Sequence, residues 1–574
     1  MMKLKQNLFG SKDSQRPTVT PRAVNGVKEN PGSVARTSKS LLWNAALSLL
    51  TLGTTLLPGA ATKVSAAERL RVLLGPFEHS VDIAELESFA QTGKLPASLK
   101  PYAFLLTPQV QQLLNRRLQI DPKVVDKYLD DLMRSPTGKQ LLGQIRAALP
   151  SSSPEQVRGA VALAARQANG LNAIGLLRAY PGEDITVDAS ALSALILQFN
   201  APYLQSQALT SLLESGLTVP DSSFRPTFNP AVAGSEQVRK QTLTLQDGKR
   251  NRTLPVDIYW NERSTGQLVV MSHGLGANRG FLAYLARHLA SHGLTVVALD
   301  HPDSKMSAST GASTNTRMSR LVPASEFVER PRDISIVLDS LAQLNQEPGS
   351  LQGKLNTEQV TVIGHSFGGY TALAVAGAEL NLDELRQFCS APTLLSQSGG
   401  DWLQCAASDL PDRRLQLRDR RVASAIALNP VAGQLFGKNG LSKVTIPTLI
   451  LSGTSDSITP ALSHQLRPFA KLGGSKYLLT AIGGTHLSIT DPDNINPQVA
   501  LSTLVPEVTG SNASPVRELL RGVSLAFVKQ LTPEAKNYQQ FLTPAYAQSL
   551  STKGLELRLT TQLPPSISAF VDLP

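Results

Sequence analysis

Between residues 268 and 453 of the 574-residue chain, five short apolar runs recur with longer amphipathic stretches between them. The runs are LVVMS, LTVVALD, VTVIGH, ASAIALN and TLILSG, rich in Val, Ile and Leu. A short run that is apolar on both faces must be covered on both faces, which marks a strand of a parallel sheet. The stretches FLAYLARHLASH and RDISIVLDSLAQL between them carry apolar residues at three- and four-residue spacing, the period of a helix. Strand alternating with helix predicts a parallel α/β sheet, with functional groups at the carboxyl ends of its strands. Just upstream, QTLTLQ and TLPVDIYW alternate apolar and polar positions, as antiparallel strands do.

The strand ends carry chemistry. VTVIGH runs directly into Gly364-His365-Ser366-Phe367-Gly368 and then an apolar helical stretch, so a G-x-S-x-G turn joins strand to helix. Such a turn is too tight for side chains at its glycines, and it lifts the serine hydroxyl clear of the sheet. A serine needs a base to take its proton and a carboxylate to orient that base, in the chain order Ser, Asp/Glu, His on this kind of sheet. After TLILSG comes Asp456. After YLLTAI comes His486, in a glycine-rich loop. Two backbone N–H donors are needed for the oxyanion. Phe367 follows the nucleophile, and Leu275 lies in Ser272-His273-Gly274-Leu275-Gly276 after an earlier strand. Each residue alone is also compatible with a turn or loop role; the joint order disfavours that. A rival reading takes Gly274, Gly276 and Asp300 as a dinucleotide-binding unit, but the third glycine falls one position late, at Gly280. That reading leaves Ser366, Asp456 and His486 without a purpose.

SHGLGANRGFLAYLARHLASHGLTVVALDHPDS together with GHSFGGY resembles the platelet-activating-factor acetylhydrolase and dienelactone-hydrolase-like branch of the α/β-hydrolases. The resemblance covers about residues 240–530, and the segment before it is similar to the N-terminal domain of many cyanobacterial members. It implies an α/β-hydrolase fold and a serine esterase acting on short or oxidised acyl chains of phospholipids, without metal or cofactor. In the acetylhydrolases the acid follows the strand directly after the nucleophile helix; here that position is Asn429, which carries no charge. Asp456, one strand later, has the placement found in many other α/β-hydrolases, cutinases included. Asp300 and Asp303 also lie near strand ends but precede the nucleophile. A cutinase-like esterase, or a non-catalytic lipid- or protein-binding module on the same fold, are the alternatives.

The rest of the chain divides by pattern. Residues 67–200 read as an all-helical domain, with starts marked at Thr107-Pro108, Asp121-Pro122, Ser153-Pro154 and Asp188. Residues 201–237, with Pro202, Pro220, Pro226 and Pro230, read as a linker; 238–540 as the α/β-hydrolase domain; and 541–574 as a C-terminal extension. An insertion over 380–421 contains Cys389, Cys405 and Trp402 and suits a lid or acyl-pocket wall. Its two cysteines are candidates for a disulfide if the chain is exported, with two unpaired buried thiols as the alternative. They have no metal-ligand spacing around them. The insertion ends in DLPDRRLQLRDRR, which suits either a solvated helix face or contact with lipid phosphates at a membrane surface.

Of the net charge of +11, +7 sits in residues 1–66, where nine Lys/Arg face two Asp/Glu. The remainder holds no dense basic tract interleaved with aromatics, so nucleic acid is not expected as the partner; a small-molecule or lipid ester is. The basic leader runs into an apolar stretch over 41–57 and small residues at Val64-Ser65-Ala66, the layout of a secretory signal peptide. Export to the periplasm or beyond is therefore expected, with an uncleaved anchor over 41–57 as the alternative.

Overall fold

The computed structural model describes residues 67–74, 77–103, 145–166, 172–188, 201–220, 224–302, 322–390, 397–495 and 506–571, with single residues 106, 111, 114, 115 and 191 between them. The leader and the helix starts at Thr107-Pro108 and Asp121-Pro122 lie outside the described residues. No helix among the described residues is long and apolar enough to cross a membrane.

The N-terminal part is not all-helical. Strands β1 (Arg69–Leu74), β2 (Phe77–Asp82) and β3 (Asp184–Asp188) form a sheet in the order β2-β1-β3. β2 pairs antiparallel to β1, and β3 pairs parallel to it. Helices α1 (Ile83–Thr92), α2 (Pro154–Ala165) and α3 (Ala173–Ala179) accompany this sheet. The expectation overlooks the local β1–β2 hairpin, and it could not include β3, which lies more than a hundred residues from β1, where local periodicity carries no trace of it. The pairing is marked by charge: Arg69 and Arg71 both bind Asp184 across it. The two cap signals that fall on described residues, Ser153 and Asp188, both act as caps. Ser153 and Gln156 form a reciprocal capping box at α2, satisfying two N–H groups that the helix cannot. The Asp188 carboxylate ends β3 and accepts from the Ala191 N–H at 2.8 Å.

The expected linker opens with two helices, α4 (Ala201–Ala208) and α5 (Thr210–Leu217). Pro202 stands in the first turn of α4, where its missing N–H costs nothing. Leu209, Leu213 and Leu217 are buried in the same apolar cluster as Phe367, Leu373 and the C-terminal Ile567.

A nine-stranded sheet follows. Its strands are β4 (Arg239–Asp247), β5 (Arg252–Trp260), β6 (Gln267–Ser272), β7 (Thr295–Leu299), β8 (Asn356–His365), β11 (Val422–Leu428), β12 (Thr448–Gly453), β13 (Lys476–Ile482) and β14 (Glu556–Thr560). Between β8 and β11 the insertion contributes the small pair β9 (Glu379–Asn381) and β10 (Arg414–Gln416). The order is β14-β13-β12-β11-β8-β6-β7-β5-β4, with the six strands from β13 to β7 parallel and β14, β5 and β4 antiparallel at the edges. Among its helices are α6 (Ala283–Ser291), α7 (Glu326–Leu344), α8 (Phe367–Ala376), α9 (Leu382–Ser390), α10 (Gly399–Cys405), α11 (Ser514–Lys529) and α12 (Pro565–Val571). Alternate residues of β6 show the layering: Val269 and Met271 pack with α6 and α11, while Leu268 and Val270 pack with α7. The C-terminal residues are no extension, since β14 completes the sheet beside β13.

The arginine-rich end of the insertion is strand β10 and a turn rather than a helix face. Three of its five guanidinium groups meet carboxylates: Arg413 binds Asp383, Arg414 binds Glu379, and Arg421 binds Asp419 and Asp339. Cys389 at the end of α9 and Cys405 at the end of α10 are joined, with their Cα atoms 5.7 Å apart. Non-reducing peptide mapping is expected to recover this pair. Converting both residues to alanine is expected to lower unfolding free energy by about 3 kcal/mol, the chain-entropy value for a loop of this size. Two freely alkylatable thiols in the native protein would defeat the pairing.

Candidate active site

The carboxyl ends of β6, β8, β11, β12 and β13 bring the site together. β8 ends at His365 and α8 begins at Phe367, so Ser366 alone makes the turn, at φ 56° and ψ −115°. A non-glycine residue there costs on the order of 1–3 kcal/mol, retained only where the surroundings enforce it. They do. Ser366 N–H donates to Leu428 O at 2.9 Å, and its carbonyl accepts from Val431 N–H at 3.0 Å and Tyr370 N–H at 3.1 Å. The two glycines of the motif have a steric reason. A Cβ on Gly364 would stand 1.9 Å from Gly368 O, and one on Gly368 would stand 2.1 Å from Ser272 O.

The loop after β6 presses on the serine from the other side. A Cβ on Gly274 would lie 3.2 Å from Ser366 Cβ and 3.1 Å from His365 Nδ1. Gly274, first suggestive of a dinucleotide loop, thus faces Ser366, while Asp300 accepts from the Arg279 backbone N–H at 2.6 Å. Phe367 N–H is the first of its helix and has no intrahelical acceptor. Leu275 follows Gly274 in this loop. Asp303 lies outside the described residues.

Asp456 and His486 meet directly: His486 Nδ1 donates to Asp456 Oδ2 at 2.8 Å. The carboxylate is fully buried and saturated. Its Oδ1 accepts from Ile458 N–H at 2.9 Å and Thr459 N–H at 2.8 Å. Its Oδ2 also accepts from the Thr459 hydroxyl at 2.7 Å and Asn429 Nδ2 at 2.8 Å. Burial alone would raise the Asp456 pKa, but the His486 charge and these donors outweigh it and hold the group below the ordinary carboxylate range. For His486, burial opposes the charge, yet Asp456 and then Glu507 prevail and raise the imidazole above its ordinary value. Among the described residues no hydrogen bond joins the Ser366 hydroxyl to His486; in enzymes without substrate this contact is commonly long and tightens on binding.

Several neighbours have roles that the sequence reading did not give them. Asn429, where the acetylhydrolase-like pattern would put its acid, is a donor to Asp456 and sits at φ 44°. His365 donates from Nε2 to His486 O at 3.0 Å, its ring 4.6 Å from the His486 ring and stacked on Phe281. Glu507 accepts from Leu487 N–H at 2.8 Å, and burial raises its carboxyl above the usual range. Of these, His365 lies inside the motif and Asn429 at the strand end where an acid was sought, while Glu507 had no sequence signal.

The insertion abuts the acid. Gly400 N–H donates to Ile458 O at 2.6 Å, and Asp401 and Ser398 both reach Nε2 of buried His464 at 3.2 Å. This second Ser/His/Asp grouping is no relay, because both oxygens converge on one nitrogen while Nδ1 accepts from the Gly433 N–H at 3.1 Å. It fastens α10 to the loop after β11. Among the described residues no cluster of three or more His, Cys, Asp or Glu could hold a metal.

A mostly parallel sheet with a strained serine between a strand and a helix, and a carboxylate and a histidine from later strand ends, is the α/β-hydrolase fold. Residues 269–498 match the model of the family described as alpha/beta hydrolase family, and residues 66–188 match that of an alpha/beta hydrolase of unknown function. The chain is 24% identical over 302 residues to Cutinase 2 of Thermobifida cellulosilytica, covering 53% of this chain and 82% of that one. It is equally similar to a cutinase of Thermobifida fusca, covering 67% of it. A platelet-activating factor acetylhydrolase of Canis lupus familiaris is 29% identical over 148 residues, 20% of this chain and 33% of that protein.

Proposed function

We propose that the chain is a serine carboxylic-ester hydrolase working through an acyl-enzyme. His486 Nε2 takes the Ser366 proton as Oγ bonds to the ester carbonyl carbon, and the oxyanion is held by the N–H groups of Phe367 and Leu275. The C–O bond to the alcohol then breaks, with the alcohol leaving protonated by His486. Water, deprotonated by the same ring, releases the acid and restores Ser366. The observation that carries this reading is the buried, five-donor Asp456 carboxylate bonded to His486 Nδ1. That bond fixes the tautomer with Nε2 free to act as base.

The substrate class is a lipid or short-chain acyl ester, as in the acetylhydrolase-like reading. A cutinase-like preference is the second reading, and it is favoured by the acid standing after β12 and by a match spanning most of a cutinase but a third of the acetylhydrolase. Export through the leader belongs to the same proposal. p-Nitrophenyl esters of rising chain length, beside an oxidised phospholipid and a polyester film, are expected to give turnover on the soluble esters. Preference for the phospholipid supports the first reading and film erosion the second; no ester turnover at all defeats both.

A further inference from the structure

A second relay lies beneath the oxyanion loop. Ser272, the last residue of β6, has its hydroxyl 2.8 Å from His301 Nε2, and His301 Nδ1 is 2.9 Å from Asp333 Oδ2. This is the connectivity of a Ser-His-carboxylate triad. It is not a second nucleophile, because Ser272 is 1% exposed and the side chains of His301 and Asp333 are fully buried, so no ester can reach it. The partners fix the protons. Asp333, also bound by Arg252 at 2.9 and 3.0 Å, accepts the Nδ1–H, which leaves Nε2 to accept from the Ser272 hydroxyl. Burial, then the nearby Arg330 guanidinium, push His301 down to about 4, so the ring is neutral.

The next residues are gripped as well. His301 N–H donates to His273 Nε2 at 3.2 Å, His273 Nδ1 donates to Gly274 O at 2.7 Å, and Arg330 donates to His273 O at 2.8 Å. The same guanidinium stacks on the Phe367 ring with its centre 4.3 Å from the centroid. Arg330 therefore touches the segments that carry both expected oxyanion donors. α7 presents Arg330 and Asp333 on one buried face at i, i+3 spacing. Pro331 lies between them and cannot donate to the Phe327 carbonyl one turn back, and the Tyr370 hydroxyl of α8 donates to it instead.

We propose that Ser272, His301, Asp333 and Arg330 are positioning residues that set the Leu275 and Phe367 N–H groups for the oxyanion. The inference rests on Ser366 being the nucleophile. Those donors meet full charge only in the transition state, so loosening them lowers kcat and leaves KM nearly alone. Ser272→Ala strips His301 Nε2 of its donor and is expected to lower kcat about tenfold or more, with KM changed by about twofold at most. Thr361→Val is the control: it removes an equally buried hydroxyl, paired with Ser424 at 2.8 Å, and is expected to cost similar stability with kcat unchanged. A Ser272→Ala kcat no lower than that of Thr361→Val, or a change confined to KM, overturns the inference. If the unaltered protein hydrolyses no ester, the nucleophile reading has failed, and hydrogen exchange tests the clamp alone. Faster exchange of the 272–276 amides in Ser272→Ala, with β13 unchanged, supports the clamp; unchanged exchange at 272–276 overturns it.

Discussion

Ser366→Ala is expected to lower ester turnover by on the order of 10⁴-fold or more while leaving the fold intact. The loss is large because members of a triad act as a unit, so removing the nucleophile removes what the base and acid contribute through it. An active-site fluorophosphonate should modify the unaltered protein at Ser366 and abolish its activity. The variant should also be at least as stable as the parent, since the turn is strained at φ 56° whatever the side chain and the hydroxyl contributes no hydrogen bond among the described residues. Labelling at another residue, or activity surviving in Ser366→Ala, would falsify the assignment.

Asp456→Asn is expected to cost about 10³- to 10⁴-fold in kcat, and Asn429→Ala much less. The amide brings no charge to the imidazolium that forms, and it offers an NH₂ where Oδ2 accepts from His486 and Asn429. The pH profile separates the two effects. His486 must be neutral to act as base, so activity rises with pH through the imidazole pKa, which Asp456 holds above its ordinary value against burial. In Asp456→Asn that acid limb is expected to move to lower pH, because burial then acts almost unopposed. Asn429→Ala keeps the carboxylate and is expected to leave the limb near its original place. The reverse ranking, measured on folded variants, would make Asp456 a turn residue only.

What the sequence made legible is what depends on neighbours in the chain. The unbroken apolar runs of β6, β7, β8, β11 and β12 announce a sheet covered on both faces, and the glycines around Ser366 announce a turn in which no Cβ fits. Strand ends then place Asp456 and His486 on the same rim as Ser366. What it hid is what depends on partners far away. β3 joins its sheet only by pairing with β1 from more than a hundred residues away, and α4 and α5 enter a core assembled from elements that come much later in the chain, α12 among them. Asn429 looked like a lost acid because spacing shows a position but not a hydrogen-bond direction. Ser272, His301 and Asp333 come from three separate elements, and nothing local distinguishes them from ordinary core polar residues.

The helices α4 and α5 and the strand β14 have a consequence for synthesis. Gln548 exchanges two hydrogen bonds with the Val219 backbone across 329 residues, and Arg558 donates to the Thr218 hydroxyl across 340. Residues made early must therefore wait, with Leu209, Leu213 and Leu217 uncovered, until nearly the whole chain has left the ribosome. Contacts of such long range close slowly and leave apolar surface open to aggregation meanwhile. Under the export proposed above that delay is useful, because a nascent polypeptide that cannot finish its core remains threadable.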